Sequence, residues 1–124
     1  MTPSHIQYHR QSRVLEVTFA DATYQLPAEY LRVYSPSAEV RGHGNEKPKW
    51  VAGKSNVAIK TIEPQGNYAI RIHFDDGHNS GIYSWRYLHE LGDKQEGLWQ
   101  DYLNQLNAEG KSRDPFTSGV KIIE

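Results

Sequence analysis

His73, Asp75, Asp76 and His78 fall within the single stretch HFDDGH. Imidazole beside carboxylate is the raw material of both metal binding and proton transfer. His73 and Asp75 match the H-x-D half of the facial triad that holds non-haem iron, where two ligands one residue apart share a face and a distant histidine completes the set. The later histidines do not complete it: His78 is too near in sequence to come from another strand, and His89 falls in a helical pattern. The plainer reading makes His73 a strand surface residue and Asp75 the start of a turn. His78, in the turn DDGHNSG, has Asp75 and Asp76 beside it to raise its basicity and fix its tautomer. Its candidate co-ligands are His43, His73, Asp75 and Asp76, none at a recognised metal spacing. Such an oxygen and imidazole set suits iron, manganese or nickel. His78 with Asp76 as an acid–base pair is the enzymatic version of the same cluster. The plainer reading of a lone turn histidine is a local hydrogen-bond partner.

A second stretch has spacing without chemistry. In LRVYSPSAEVRGHG, Ser35, Ser37 and Val40 stand as in a C-x-C-x-x-C motif around Pro36, yet the chain has no cysteine. That excludes disulfides and thiolate zinc sites. Neither common phosphate-cradle glycine fingerprint occurs, and GHNSG has its serine one place too late for a nucleophile elbow. The segment RGHGNEKPKWVAGKS carries Arg41, Lys47, Lys49 and Lys54 against Glu46 alone. It reads as a solvated basic loop, or as a partner-binding loop with Trp50.

The elements that must position these residues follow from periodicity. Leu15, Val17 and Phe19 alternate on one face of a strand, TYQL returns after a short turn, and HIQYH precedes them, which predicts a three-stranded meander. Pro27 opens a short helix, PAEYLRVY. NVAIKTI and NYAIRIHF flank EPQG as a hairpin with a type I turn, and Tyr68, Ile70, Ile72 and Phe74 should share one buried face. IYS adds a brief strand. Ser84 caps a helix carrying Trp85, Leu88 and Leu91 and ending at Gly92; a second helix buries Trp99, Leu103 and Leu106 and ends at Gly110. The fold class is α+β: antiparallel sheet from hairpins and a meander, with two C-terminal helices packed on or beside it. Residues 1–110 form a single domain, and residues 111–124 are expected to be a partly disordered tail.

With 124 residues and a net charge of −1, the chain fits one domain and lacks the positive excess of a nucleic-acid binder. It has no signal-type or membrane-spanning apolar run. A cytoplasmic location is expected.

LRVYSPSAEVRGHG, IEPQGNYAIRIHFDDGHNSGIYSWRYLHELG and LWQDYLNQL together resemble the γ-butyrobetaine hydroxylase-like N-terminal domain over about residues 6 to 106. Members of that family occur alone in bacteria, before the catalytic jelly-roll of 2-oxoglutarate-dependent carnitine-pathway hydroxylases, and appended to P-loop ATPases of iron–sulfur cluster assembly. In the hydroxylases the domain holds structural zinc through three cysteines and the histidine of a D-G-H turn. The resemblance puts those ligands at Ser35, Ser37, Val40 and His78, so it implies a degenerate site without zinc, in which Ser35 and Ser37 bond to backbone or to His78. No jelly-roll follows in this sequence, so the resemblance carries a fold and not the hydroxylase activity. The expected function is a non-catalytic binding or adaptor domain without cofactor, acting on a protein partner and linked to iron–sulfur or cofactor protein assembly through a carrier protein. The contact surface would be the basic loop or the aromatic region of Trp50, Tyr83 and Trp85. The alternative is a metal-binding protein with an altered ligand set around His78.

Overall fold

The structure, a computed structural model, describes residues 1–37 and 50–116. Strands β1 (His5–His9), β2 (Val14–Thr18) and β3 (Thr23–Pro27) form an antiparallel meander. Its register pairs Leu15 with Leu26, and both are fully buried, as is Val17. Pro27 ends β3 and stands at the N-cap of α1 (Ala28–Val33), a short helix whose six residues are all buried. A second antiparallel sheet comprises β4 (Ile59–Gln65), β5 (Ala69–Phe74) and β6 (Ile82–Ser84), in that order. Two helices follow: α2 (Trp85–Asp93) and α3 (Gln95–Ala108). The architecture is α+β, with the strands divided between two three-stranded sheets. Among the described residues, no helix is long and apolar enough to cross a membrane.

Period two holds in β5 for Ile70, Ile72 and Phe74, each at most 3% exposed, but not for Tyr68, which is 60% exposed. The cause lies in the turn. The chain reverses at residues 66–68, with Gly66 at a φ of 57°, two places later than the EPQG turn expected from Pro64. Tyr68 is thus turn rather than strand. Pro64 instead lies within β4, opposite Ile70, and is tolerated because β4 is an edge strand.

Helix α2 begins as expected, with the Ser84 side chain accepting from Tyr87 N–H. It runs through Gly92 rather than ending there. Gly92 is needed for close approach, since a Cβ at that position would collide with the inner ring atoms of Tyr24. Gly92→Ala ordinarily favours a helix interior by about 1 kcal/mol. Here the collision, at the root of the ring rather than its mobile tip, should reverse the sign to a loss of about 1–3 kcal/mol, read as a lower urea midpoint. Helix α3 buries Tyr102 and Leu106, whereas Trp99 and Leu103 are only half-buried against the core. It ends in a Schellman motif: Gly110 has a φ of 65°, Gly110 N–H donates to Asn107 C=O at 3.2 Å, and Lys111 N–H donates to Leu106 C=O at 2.8 Å.

Tyrosine hydroxyls tie these layers together. Tyr30 donates to Leu91 C=O, Tyr34 to Leu98 C=O and Tyr102 to Val51 C=O, each at 2.6 Å. Tyr83 donates to Leu31 C=O and Tyr87 to Tyr34 C=O, each at 2.5 Å. Leu31 and Leu91 sit in the last turns of α1 and α2, where carbonyls lack helical partners, so phenols on other elements supply the missing donors.

Candidate functional site

Helix α1 is short, and its end delivers Ser35 and Ser37 into the protein interior at 0% and 6% exposure. The turn after β5 meets them there. Gly77, at a φ of 91°, lets the chain turn so that Phe74 N–H donates to His78 C=O at 2.9 Å. Asp75 anchors the turn to the start of β4: its N–H donates to Ala58 C=O at 2.9 Å, and its Oδ1 accepts from Ala58 N–H at 3.0 Å. His78, 6% exposed, is thereby aimed at the serines. Ser35 Oγ is hydrogen-bonded to His78 Nε2 at 2.8 Å, and Ser37 Oγ lies 3.4 Å from the same nitrogen. Ser37 N–H donates to Ser35 Oγ at 3.4 Å. Gly81 leaves room for the contact, because a Cβ there would stand 2.5 Å from Ser35 Oγ.

Asp76 is the ionic hub of the turn. Its Oδ2 accepts from Arg32 Nε at 2.8 Å and from Lys54 Nζ at 2.7 Å, while its Oδ1 accepts from His78 N–H at 3.1 Å. Arg32 Nη1 is buried without a hydrogen-bond partner among the described residues. Burial pushes the Asp76 carboxyl up, but Lys54, the His78 amide and Arg32 together outweigh it and hold the pKa at about 2. The folded value lies below the ordinary 3.8, so the resulting stability is complete above about pH 4 and is lost as pH falls towards 2. Allowing for solvent screening, this amounts to about 1–2 kcal/mol. Unfolding free energies from urea titrations between pH 5 and 2 should fall by that amount, and Asp76→Asn should flatten that part of the curve.

The structure therefore brings Ser35, Ser37, His78 and Asp76 into one neighbourhood. It uses the other candidates elsewhere: His73 lies 3.3 Å from Glu63, and His89 lies 2.9 Å from Asp21. Val40, Arg41, His43, Lys47 and Lys49 lie outside the described residues. Lys54 is paired with Asp76, and Trp50 packs edge-on against Tyr34 with ring centroids 5.8 Å apart. Tyr83 is fully buried, which removes it from any contact surface. The tail expected from residue 111 onward makes defined contacts as far as it is described, through Arg113 and Glu29. Neither that pair nor Arg32 was signalled by local sequence, because their partners lie 84 and 44 residues away.

The donor set does not fit the zinc that hydroxylase members of the resembling family hold. Hydroxyls are weak zinc ligands, and two ligands on a tetrahedral zinc stand roughly 3.3–3.8 Å apart, given metal–ligand bonds of about 2.0–2.3 Å. Ser35 Oγ and His78 Nε2, at 2.8 Å, are bonded to each other with no room for an ion between them. Among the described residues, no group of three or more His, Cys, Asp or Glu is arranged to hold a metal.

Comparison with known proteins bears on the family and the fold. No curated protein matches the chain. One NMR solution structure is 50% identical with a TM-score of 0.83, covering 99% of this chain and 98% of that one. A second is 46% identical with a TM-score of 0.78, covering 99% of this chain and 93% of that one. A crystal structure from Acidithiobacillus ferrooxidans, of a protein with unknown function in the DUF971 family, is 40% identical with a TM-score of 0.62, covering 73% of this chain and 92% of that one. The model of the gamma-butyrobetaine hydroxylase-like N-terminal domain matches residues 6–89, and the chain belongs to that family.

Proposed function

We propose that this domain is a non-catalytic protein-binding module whose degenerate metal site works as a structural clasp. One observation carries the reading: the His78 ring nitrogen facing the loop is engaged by Ser35 and Ser37 at 6% exposure. A general base must reach a substrate proton, and a metal ligand must offer a lone pair to an ion. His78 in this setting offers neither. Asp76, the other half of an acid–base pair, is bound to two cations. The clasp joins the end of α1 to the second sheet, the task that zinc performs in the hydroxylase members. The family's association with iron–sulfur assembly makes a carrier protein of that machinery the first partner to test. Any cluster would belong to the carrier, since this chain has no cysteine.

The test has two parts. The purified chain should take up no stoichiometric zinc, iron, manganese or nickel, and a chelator should leave its melting temperature unchanged; a shift of several degrees would replace this reading with the metal-binding one. Purified iron–sulfur carrier proteins, titrated against the isotope-labelled chain, should perturb a contiguous surface patch without turnover of any added substrate. Failure of every carrier to bind would remove the assembly role.

A further inference from the structure

Between α1 and the junction of α2 with α3 lies an open cleft of about 660 Å³, lined in part by Glu29, Tyr30, Asp93, Glu96, Trp99 and Arg113. Its size falls in the range of binding clefts, roughly 300–1,000 Å³. The Glu29 side chain is only 8% exposed, and both its oxygens are taken by one guanidinium: Arg113 Nε donates to Oε2 at 2.8 Å, and Nη2 donates to Oε1 at 2.6 Å. The same guanidinium lies 5.1 Å from the centre of the Trp99 ring. A buried carboxylate that takes a planar cation two-pronged, with an indole behind it, is an arginine receptor in chemical terms.

The occupant's side chain is within reach of solvent. Arg113 follows α3 in a segment whose backbone is held by two hydrogen bonds, Gly53 N–H to Ser112 C=O at 2.8 Å and Ser55 N–H to Arg113 C=O at 3.0 Å. The Arg113 side chain is 45% exposed, and Phe116 is 61% exposed. Asp93 and Glu96 are exposed and make no ion pair among the described residues, so the cleft stays net negative after Arg113 is counted.

We propose that this cleft docks an arginine-bearing segment of a partner protein, and that Arg113 is its intramolecular stand-in when no partner is bound. The proposal rests on the binding-module reading and specifies the partner's chemistry. The probe is the blocked peptide Lys-Ser-Arg-Asp-Pro-Phe, which copies residues 111–116, read by the indole N–H resonance of Trp99 in the full chain. Arg113→Ala should bind it at least tenfold more tightly than the native chain, whose own arginine competes. The same peptide with alanine for arginine should not bind, and Glu29→Gln in the Arg113→Ala background should weaken binding at least tenfold. Arg113→Lys, which keeps the charge but loses the fork, serves if Arg113→Ala fails to fold. Equal binding by the native and variant chains, equal binding of the alanine peptide, or no shift at Trp99 overturns the proposal. Carrier binding that survives Glu29→Gln would also overturn it while leaving the module reading intact.

Discussion

Truncation of Tyr83 to alanine should cost about 3–5 kcal/mol, a large share of the ~5–15 kcal/mol that holds a small domain folded. The side chain is fully buried in β6, and its ring sits beside Gly81, where a Cβ would stand 3.1 Å from it. Its hydroxyl donates at 2.5 Å to Leu31 C=O, an acceptor in the last turn of α1 with no helical donor of its own. Burial pushes the phenol pKa up, so the group remains a donor across the ordinary pH range. Tyr83→Phe separates the two contributions. It keeps the ring and leaves the carbonyl unpaired, which should cost about 1–3 kcal/mol. The alanine variant adds a cavity beside the Ser35–His78 contact, so its His78 ring resonances should move; Tyr83→Phe, which removes only the hydroxyl that also touches Ser35, should move them less. Urea unfolding with an unchanged m-value gives the energies. A loss below about 1 kcal/mol for Tyr83→Ala would mean that this phenol does little to hold α1 to the sheet.

Residues whose partners are near in sequence were legible; those tied across the fold were not. Period two located Leu15, Val17, Ile70, Ile72 and Phe74, because one face of each sheet is buried and alternation follows from the pleat. The same rule failed at Tyr68, one residue outside the strand, because the turn was set by the conformation of Gly66 and not by Pro64. Tyr102 is a core residue of α3 that the spacing of leucines and tryptophan does not single out; its hydroxyl partner, Val51 C=O, is 51 residues away. Periodicity has no view of such a bond. The sequence neighbours of Asp76 suggest chemistry, while its use as an ionic hub depends on Arg32 and Lys54. The meeting of Ser35 and Ser37 with His78 had no local signal at all. Only the family resemblance pointed to it, because a shared ligand, once present in relatives, fixes which distant positions face each other.

That meeting allows a gain of function in which the change should exceed any of the losses above. The triple substitution Ser35→Cys, Ser37→Cys, Val40→Cys should bind one zinc ion with His78, although position 40 lies outside the described residues. Ser35 Oγ and Ser37 Oγ already stand 2.8 and 3.4 Å from His78 Nε2. A tetrahedral Cys₃His site needs a sulfur-to-nitrogen separation of roughly 3.5 Å, so the required adjustment is under ~1 Å. The metal-free variant should suffer first. Position 35 is fully buried and hemmed in by Gly81 and Tyr83, so a sulfur there overpacks the clasp at a cost of about 1–3 kcal/mol. Zinc should more than reverse this, since structural sites in small peptides bind with an apparent ~10–16 kcal/mol at neutral pH. The variant should therefore melt below the native chain in chelator and above it with one equivalent of zinc. Cobalt substitution should give the intense visible bands of a tetrahedral thiolate site, and adding His78→Ala should weaken or abolish them. A folded variant that ignores zinc, or one whose uptake does not depend on His78, would show that the serine contact is an ordinary hydrogen bond and not the footprint of a metal site. Native-like behaviour of His78→Ala in the unsubstituted chain, with no loss of stability, would undercut the clasp from the other side, because removing the imidazole leaves two buried serine hydroxyls to find new partners.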